Sequence, residues 1–194
     1  SGLVYEFLSS NTGQYMALTG HPSVLSGLKA SLHYPMMFDP GERWDYGIGI
    51  DWLGQVVEAV DGRRIRQFCR EELLDPLGMS DTRFEVTSDM ESRLAGVKMR
   101  GEDGSFSDFD IAPPPNPEFY GMGHALYATA SDYMRFLRMF LNRGELDGVR
   151  ILSPSAVDQM TANSIGDVRV GKLISLAPPI SADIELFPGI ETTH

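Results

Sequence analysis

The sequence predicts a mostly helical chain that carries one short β-hairpin. Three observations lead to this prediction. Four stretches repeat apolar residues at the helical spacing of three and four positions, two short stretches of strand-like composition flank an Asp-Gly turn, and the connecting segments are rich in glycine, proline and small residues. The 194 residues show no internal repeat or low-complexity tract, so one continuous unit is the simplest organisation.

The first two predicted helices follow each other closely. Asp51 is placed to cap the first, and Gly62 supplies the left-handed residue that ends it. The apolar face of this helix is formed by Leu53, Val56, Val57 and Val60. The second helix covers residues 65–74 and carries Cys69 on its apolar face, which is typical of a small buried hydrophobic residue rather than of a nucleophile.

The third and fourth predicted helices lie in the last third of the chain. The third starts at Ser131 or Asp132. Its apolar face consists of Tyr133, Phe136, Leu137, Phe140 and Leu141. The fourth begins with Ser153 as cap and Pro154 at the first helical position, a favoured pair. The residues that this last helix should bury are Val157 and Met160.

The segments between the second and third helices follow a different pattern. Residues 94–100 and 105–111 predict a short hairpin. The stretch APPPNP at 112–117 indicates an extended irregular segment, and GMGHALYATA at 121–130 indicates a loop of small residues. The tail at 173–188 is apolar and proline-rich, without a clear period.

Charge and cysteine content exclude several classes of partner and site. The net charge of −11, from 16 basic and 27 acidic residues, disfavours nucleic acid, which needs a basic face. No run approaches the ~20 apolar residues of a membrane span. Cys69 is the only cysteine, so an internal disulfide and a zinc site built on several thiolates are ruled out. The ends, SGLVYEF and GIETTH, are expected to be cuts, so the missing signal peptide leaves the compartment open.

Neither a metal nor a cofactor is expected. The histidines are His21, His33, His124 and His194. They form neither an HExxH motif nor any other paired spacing typical of metal ligands. No GxxxxGK[ST] phosphate loop is present, and the glycines of GIGIDWLG are typical of a turn ahead of a helix. Asp108 and Asp110 alternate with apolar residues in a predicted strand, which favours a solvated face over acid–base chemistry.

Nucleophile motifs are weak when they are taken one by one. The GxSxG elbow of α/β-hydrolases is missing. One SxxK pattern occurs, from Ser26 to Lys29, and on a helix the two side chains would share a face. Gly27 at its centre weakens such a helix, so a solvated loop serine and a surface lysine are the favoured interpretation.

Four segments follow each other in an order that is specific when taken together. They are SGL at 1–3, FDPGERWDYGIGIDWLGQVVEAVDG at 38–62, EELLDPLGMSDTRF at 71–84, and 120–160, which begins YGMGHALYATASDYMRF. In this order they resemble the serine β-lactamase-related family, which includes class C β-lactamases, penicillin-binding relatives, esterases and acyltransferases. The resemblance implies an α+β fold of the β-lactamase and penicillin-binding-protein (DD-peptidase-like) type. Residues 1–194 would be its central, mostly helical part, with much of the antiparallel sheet absent.

The resemblance assigns the catalytic tyrosine of this family to Tyr46, beside a Ser-Lys pair. A phenol has a pKa of about 10 and is a poor base at neutral pH, but a nearby lysine cation favours the phenolate. Tyr46 would then take the proton of a serine hydroxyl and return one to the leaving group. The alternative is a structural tyrosine whose hydroxyl ties down a turn.

Three positions near the matched motifs bear on the substrate. Ile48 stands where the family's Y-x-N element has asparagine, and because it cannot hydrogen-bond through its side chain it argues against penicillin or cephalosporin turnover. Trp44 could line an apolar acyl pocket. His124 replaces an expected small residue, so it is a candidate cleft residue, with a packing or surface role as the alternative.

The resemblance also implies motifs that this chain lacks. The nucleophilic SxxK should precede Ser1 and the Lys- or His-Thr/Ser-Gly strand should follow His194, so residues 1–194 alone are expected to be inactive. The favoured function is a carboxylesterase or acyltransferase that forms an acyl-serine and takes a small-molecule ester or acyl substrate. A β-lactamase or D-Ala-D-Ala peptidase and a non-catalytic binding relative are the alternatives.

Overall fold

The chain is described by a computed structural model that covers residues 1–101, 103–109, 114–177, 182–186 and 188. Its residues cluster into two compact units, and each unit is made of separate stretches of the chain. Unit 1 comprises Ser1–Trp52, Ala95–Gly123 and Ile165–His194, and unit 2 comprises Leu53–Leu94 and His124–Ser164. Asp110 and His194, which the sequence analysis considered, lie outside the described residues.

Among its described residues, unit 1 contains a first helix, two 3₁₀ turns, a hairpin and the first turn of a further helix. Helix α1 covers Ser10–Thr19, the turns cover Val24–Ser26 and Lys29–Leu32, and strands β1 (Lys98–Arg100) and β2 (Phe106–Asp108) pair antiparallel. The predicted hairpin is therefore present but shorter than predicted. Helix α1 was not predicted, because SNTGQYMALT is largely polar and lacks an apolar period; its start is instead fixed by a local cap, the Ser9 hydroxyl accepting the Thr12 N–H.

The core of unit 1 brings together residues from its first two stretches. Its buried members are Tyr5, Val24, Leu32, Tyr34, Ile48 and Phe119. Tyr34 donates its hydroxyl hydrogen bond to the Val4 carbonyl at 2.9 Å, and the Trp52 indole donates to the Leu32 carbonyl at 3.1 Å. Polar atoms of these large side chains are thus paired inside the core, as burial requires.

Unit 2 holds most of the helices. Its elements are the greater part of α2 (Gly49–Asp61), α3 (Ile65–Cys69) with a π turn at Arg70–Leu74, α4 (Ser88–Glu91), α5 (Ala130–Leu141), the two-residue strands β3 (Glu145–Leu146) and β4 (Val149–Arg150), and α6 (Pro154–Thr161). Its core consists of Leu74, Leu77, Met79, Met139 and Leu146. Buried Asp132 in the first turn of α5 accepts the Asp81 N–H at 2.8 Å and the Thr82 hydroxyl at 2.9 Å, which fixes the turn after α3.

Two helix boundaries set by local signals are confirmed, the end of α2 and the start of α6, whereas α5 begins at Ala130, one residue before the predicted Ser131. Gly62 has φ of 86° directly after α2, and Ser153 accepts the Ala156 N–H ahead of Pro154 at the start of α6. Val157 is buried as predicted, but the prediction for Met160 is wrong, since 60% of this residue is exposed. The period of an eight-residue helix does not by itself decide how wide its buried face is.

A further prediction about α2 is wrong. Asp51 lies inside the first turn, where it is wholly buried, and is not the capping residue. The apolar face is also largely open: Leu53, Val56 and Val60 are 62%, 52% and 84% exposed. Helix α5 shows the same feature, because Tyr133 and Leu141 are exposed although they follow the helical period.

These open faces predict how residues 1–194 behave as an isolated chain. Because exposed apolar faces promote association, we expect the chain to self-associate in size-exclusion chromatography with light scattering. Val60→Lys and Leu141→Lys should each shift it towards monomer. Leu18→Lys, which removes a similarly exposed leucine of α1 outside these faces, should change it less. A monomer at high concentration in the unsubstituted chain would contradict this expectation.

Candidate active site

The loop that carries Tyr46 is held by short-range polar contacts. Asp45 Oδ1 accepts the Tyr46 N–H at 2.9 Å, and Asp45 Oδ2 pairs with the Arg43 guanidinium at 3.5 Å. The same guanidinium lies 4.1 Å from the centre of the Phe38 ring. These contacts fix the backbone on the amino-terminal side of Tyr46.

The carboxyl-terminal side of Tyr46 is fixed by the start of the chain. The Tyr5 N–H donates to the Tyr46 carbonyl at 3.4 Å, and the Ile48 N–H donates to the Leu3 carbonyl at 3.2 Å. Between these two bonds, a Cβ added to Gly47 would lie only 1.6 Å from the Leu3 carbonyl oxygen. Position 47 therefore requires glycine because two backbone segments meet there, and not because of an unusual φ.

The Tyr46 side chain is presented to solvent at one edge of the unit 1 core. It is 45% exposed, and its ring centre lies 5.4 Å from that of Tyr5 at an angle of 42°. Among the residues that the structure describes, its hydroxyl has no hydrogen-bond partner. The hydroxyl is therefore not used to tie down a turn within this part of the chain, and it remains available to a reacting group.

Tyr5 and Asp51 form a buried pair next to Tyr46. The Tyr5 hydroxyl donates to Asp51 Oδ2 at 2.8 Å, and its ring stacks on Phe7 with centres 5.0 Å apart. Burial, followed by the Asp51 carboxylate, raises the pKa of Tyr5 far above its ordinary value. Tyr5 is thus held as a protonated hydrogen-bond donor to Asp51. Sequence reasoning missed Tyr5, whose only signal is its place two residues after SGL.

The other predicted site residues occupy different surroundings. Trp44 is half-buried in unit 1, and its role in an acyl pocket stays a prediction. His124 belongs to unit 2, where it is exposed. Ile48 is wholly buried in the unit 1 core, so its side chain does not line a groove, and any effect of this position on the substrate acts through the loop.

The SxxK pattern of Ser26 and Lys29 is not a catalytic motif in this structure. Gly27, with φ of 69°, separates two different 3₁₀ turns, so the two side chains do not share a helical face. The Ser26 hydroxyl accepts the Leu28 N–H at 3.3 Å, and Lys29 is exposed. A local turn serine and a surface lysine are what the residues provide, as the sequence analysis favoured.

Two further reactive side chains that the sequence singles out are Asp108 and Cys69. Asp108 pairs with Lys98 across the hairpin on an exposed face, as predicted for a solvated strand face. Half-burial raises the pKa of the Cys69 thiol, which disfavours the reactive thiolate.

Across the described stretches of the chain, no group of three or more His, Cys, Asp or Glu residues could hold a metal ion. No helix among those stretches has the length and apolar character needed to cross a bilayer.

The two buried phenols of unit 1 predict a loss of stability at high pH. Burial raises the pKa of Tyr5 and of Tyr34 in the folded chain, whereas unfolded phenols ionise at about pH 10. Above that pH the unfolded chain has lost protons that the folded chain keeps. The free energy of unfolding should therefore be unaffected by these groups below about pH 9, and fall above pH 10 by up to about 1.4 kcal/mol per pH unit for each tyrosine.

Urea unfolding of the protein between about pH 9 and pH 11 measures this slope. The double variant Tyr5→Phe/Tyr34→Phe should show a shallower fall than the unsubstituted protein. Tyr133→Phe removes an exposed phenol of unit 2 and should leave the slope unchanged. An equal slope in all three proteins would contradict the prediction.

Several known proteins are similar to this chain in sequence and in structure. The family described as Beta-lactamase matches residues 2–173. Lovastatin esterase of Penicillium rubens is 30% identical over 188 residues, which are 93% of this chain and 46% of that protein. Monacolin J acid methylbutanoyltransferase of Aspergillus terreus is 34% identical over 167 residues, which are 82% of this chain and 39% of that protein.

A solved structure supports the same relationship. Unliganded simvastatin synthase (LovD) from Aspergillus terreus matches with a TM-score of 0.69 and 31% identity, over 85% of this chain and 39% of that one. The chain thus spans less than half the length of these relatives, and it has a mainly helical part of their α+β fold. On the match over residues 2–173, this chain belongs to the Beta-lactamase family.

Proposed function

We propose that this chain is the central part of a serine hydrolase that cleaves or transfers carboxylic esters through an acyl-serine intermediate, with Tyr46 as the general base. The observation that carries the proposal is the Tyr46 hydroxyl, which is exposed, without a partner among the described residues, and set on a loop fixed from both sides. A base needs this combination of a fixed position and an unoccupied oxygen.

The proposed reaction needs a serine and a lysine that we place outside residues 1–194. The serine oxygen attacks the ester carbonyl carbon while its proton passes to the Tyr46 oxygen. When the tetrahedral intermediate collapses, the alcohol leaves and takes that proton, so Tyr46 returns to its starting state. Water or a second alcohol then attacks the acyl-serine by the same route, which gives hydrolysis or acyl transfer. Residues 1–194 alone should therefore show no ester turnover.

An ester is the favoured substrate for two reasons. The relatives named above are an esterase and an acyltransferase, and both are at least 30% identical to this chain. In addition, the half-buried Trp44 offers apolar surface close to Tyr46 in the sequence. A small ester with an apolar acyl group is the substrate class that fits these features.

Assays on the whole protein test the proposal. We expect hydrolysis of p-nitrophenyl butyrate, with an acyl-enzyme mass increment after rapid quenching, and little turnover of nitrocefin. Nitrocefin turnover that exceeds ester turnover would replace the proposal with a β-lactamase or peptidase. If the folded protein shows no turnover and no mass increment, a non-catalytic relative that binds acyl or peptide ligands is favoured instead.

A further inference from the structure

Asp51 is a buried carboxylate that packing alone does not explain. It is 0% exposed, and among the described residues only its Oδ2 has a hydrogen-bond partner, the Tyr5 hydroxyl. Its Oδ1 is buried and makes no hydrogen bond with any residue that the structure describes. Burial of an incompletely paired carboxylate costs several kcal/mol, of which the helix dipole at the start of α2 offsets only part.

What this carboxylate does is fix the Tyr5 phenol. The hydroxyl is held at 2.8 Å by Asp51, and the ring face is covered by Phe7. The backbone at Gly123 also approaches the Tyr5 hydroxyl closely, since a Cβ added to Gly123 would lie 3.1 Å from the hydroxyl oxygen. The Tyr5 ring is therefore confined on several sides, and Asp51 supplies the only one of these contacts that is a hydrogen bond.

Tyr46 in turn depends on Tyr5 for its place. The two ring centres are 5.4 Å apart, and the Tyr5 N–H donates to the Tyr46 carbonyl. No described residue forms a hydrogen bond with the Tyr46 hydroxyl. The contact between the two rings is therefore what restrains the Tyr46 side chain on the side that faces Tyr5.

We propose that Asp51 is a positioning residue that acts through Tyr5: it fixes the ring on which Tyr46 rests and so sets where the Tyr46 hydroxyl lies. The kinetic part of this proposal rests on the proposed function, in which Tyr46 is the base. A misplacement of about 1 Å at a reacting group can cost about 100-fold in rate, so loss of the pair should lower kcat more than it raises KM.

The test is a double-mutant cycle in the whole protein with p-nitrophenyl butyrate. Asp51→Leu and Tyr5→Phe should each lower kcat about 10-fold or more and change KM less than about 3-fold. The double variant should be no slower than the worse single variant, because both changes remove the same contact. Asp51→Asn keeps an acceptor oxygen for the Tyr5 hydroxyl and should restore most of kcat.

Tyr34→Phe is the matched control. It also removes a buried phenol and its hydrogen bond, to the Val4 carbonyl, from the same core, but Tyr34 has no hydrogen bond to Asp51. It should lower the melting temperature while leaving kcat unchanged. If Asp51→Leu fails to fold, Tyr5→Phe alone still decides, since it keeps the ring and removes only the hydroxyl.

A readout that does not need turnover separates this proposal from the proposed function. In protein labelled with ¹³C-tyrosine, the ring signal that disappears in Tyr46→Phe should shift in Asp51→Leu and Tyr5→Phe, and stay in place in Tyr34→Phe. If the unsubstituted protein shows no ester turnover but the Tyr46 signal still shifts in these two variants, the positioning role is upheld and the esterase function is rejected. Unchanged kcat and an unchanged Tyr46 signal in folded Asp51→Leu or Tyr5→Phe would overturn the role of Asp51.

Discussion

Tyr46→Phe is expected to lower kcat of the whole protein for p-nitrophenyl butyrate by about 10²–10⁴-fold, the range that general-base catalysis contributes. The substitution removes one oxygen and keeps the ring that packs beside Tyr5. KM should therefore change only a few-fold, and the fold should be retained. Steady-state kinetics, with circular dichroism to verify folding, measure both quantities.

Tyr133→Phe supplies the control for this substitution. Tyr133 is 55% exposed, close to the 45% of Tyr46, so the same atom is removed from a similarly solvated phenol. Its kcat should match that of the unsubstituted protein. Near-normal turnover in a folded Tyr46→Phe protein would remove the basis for a catalytic role of this residue.

Gly47→Ala is expected to have the second-largest effect, on stability and activity together. A methyl group at position 47 would lie 1.6 Å from the Leu3 carbonyl oxygen, and neither partner is a flexible side chain that could move aside. The two backbone segments must separate, which breaks the Ile48 and Tyr5 N–H bonds and displaces Tyr46. We expect the free energy of unfolding to fall by about 3 kcal/mol or more, and kcat to fall with it.

Alanine substitutions at two other glycines are the controls for this loss of stability, which urea unfolding measures in all three variants. Gly41→Ala meets no atom within 4 Å but has φ of 90°, so it should cost only about 1–2 kcal/mol of backbone strain. Gly13→Ala, in α1, meets only the Glu6 carbonyl at 3.6 Å and should stabilise the protein by about 0.5–1 kcal/mol. If Gly47→Ala cost no more than Gly41→Ala, the close approach to Leu3 would not be what requires glycine.

Local signals in the sequence were sufficient for the end of α2 and the start of α6. Ser153 followed by Pro154, and Gly62 after an apolar period, specify helix ends through interactions that span only three or four residues. The same argument explains the missed helix α1, whose Ser9 cap is followed by polar residues rather than an apolar stripe. Which face a helix buries could not be derived in this way, as the exposed Leu53 and Val60 demonstrate.

The site was predictable only where a motif marks it. Tyr46 could be named as a candidate from the long match around it, and the glycines of GIGIDWLG indicated a turn next to it. The Tyr5–Asp51 hydrogen bond joins residues 46 positions apart, and no periodicity or cap links them. The burial of Ile48 was equally beyond such signals, because the core in which it packs is built from distant segments.

The interleaving of the two units has a consequence for protein engineering. Leu53–Leu94 and His124–Ser164 make one unit, and the stretch between them belongs to the other. No truncation from either end can therefore yield a single intact unit. To produce unit 2 alone, a gene would have to encode Leu94 joined to His124 through a designed linker. A reporter inserted at residue 95 would lie where the chain leaves unit 2 for unit 1, and not in a peripheral tail.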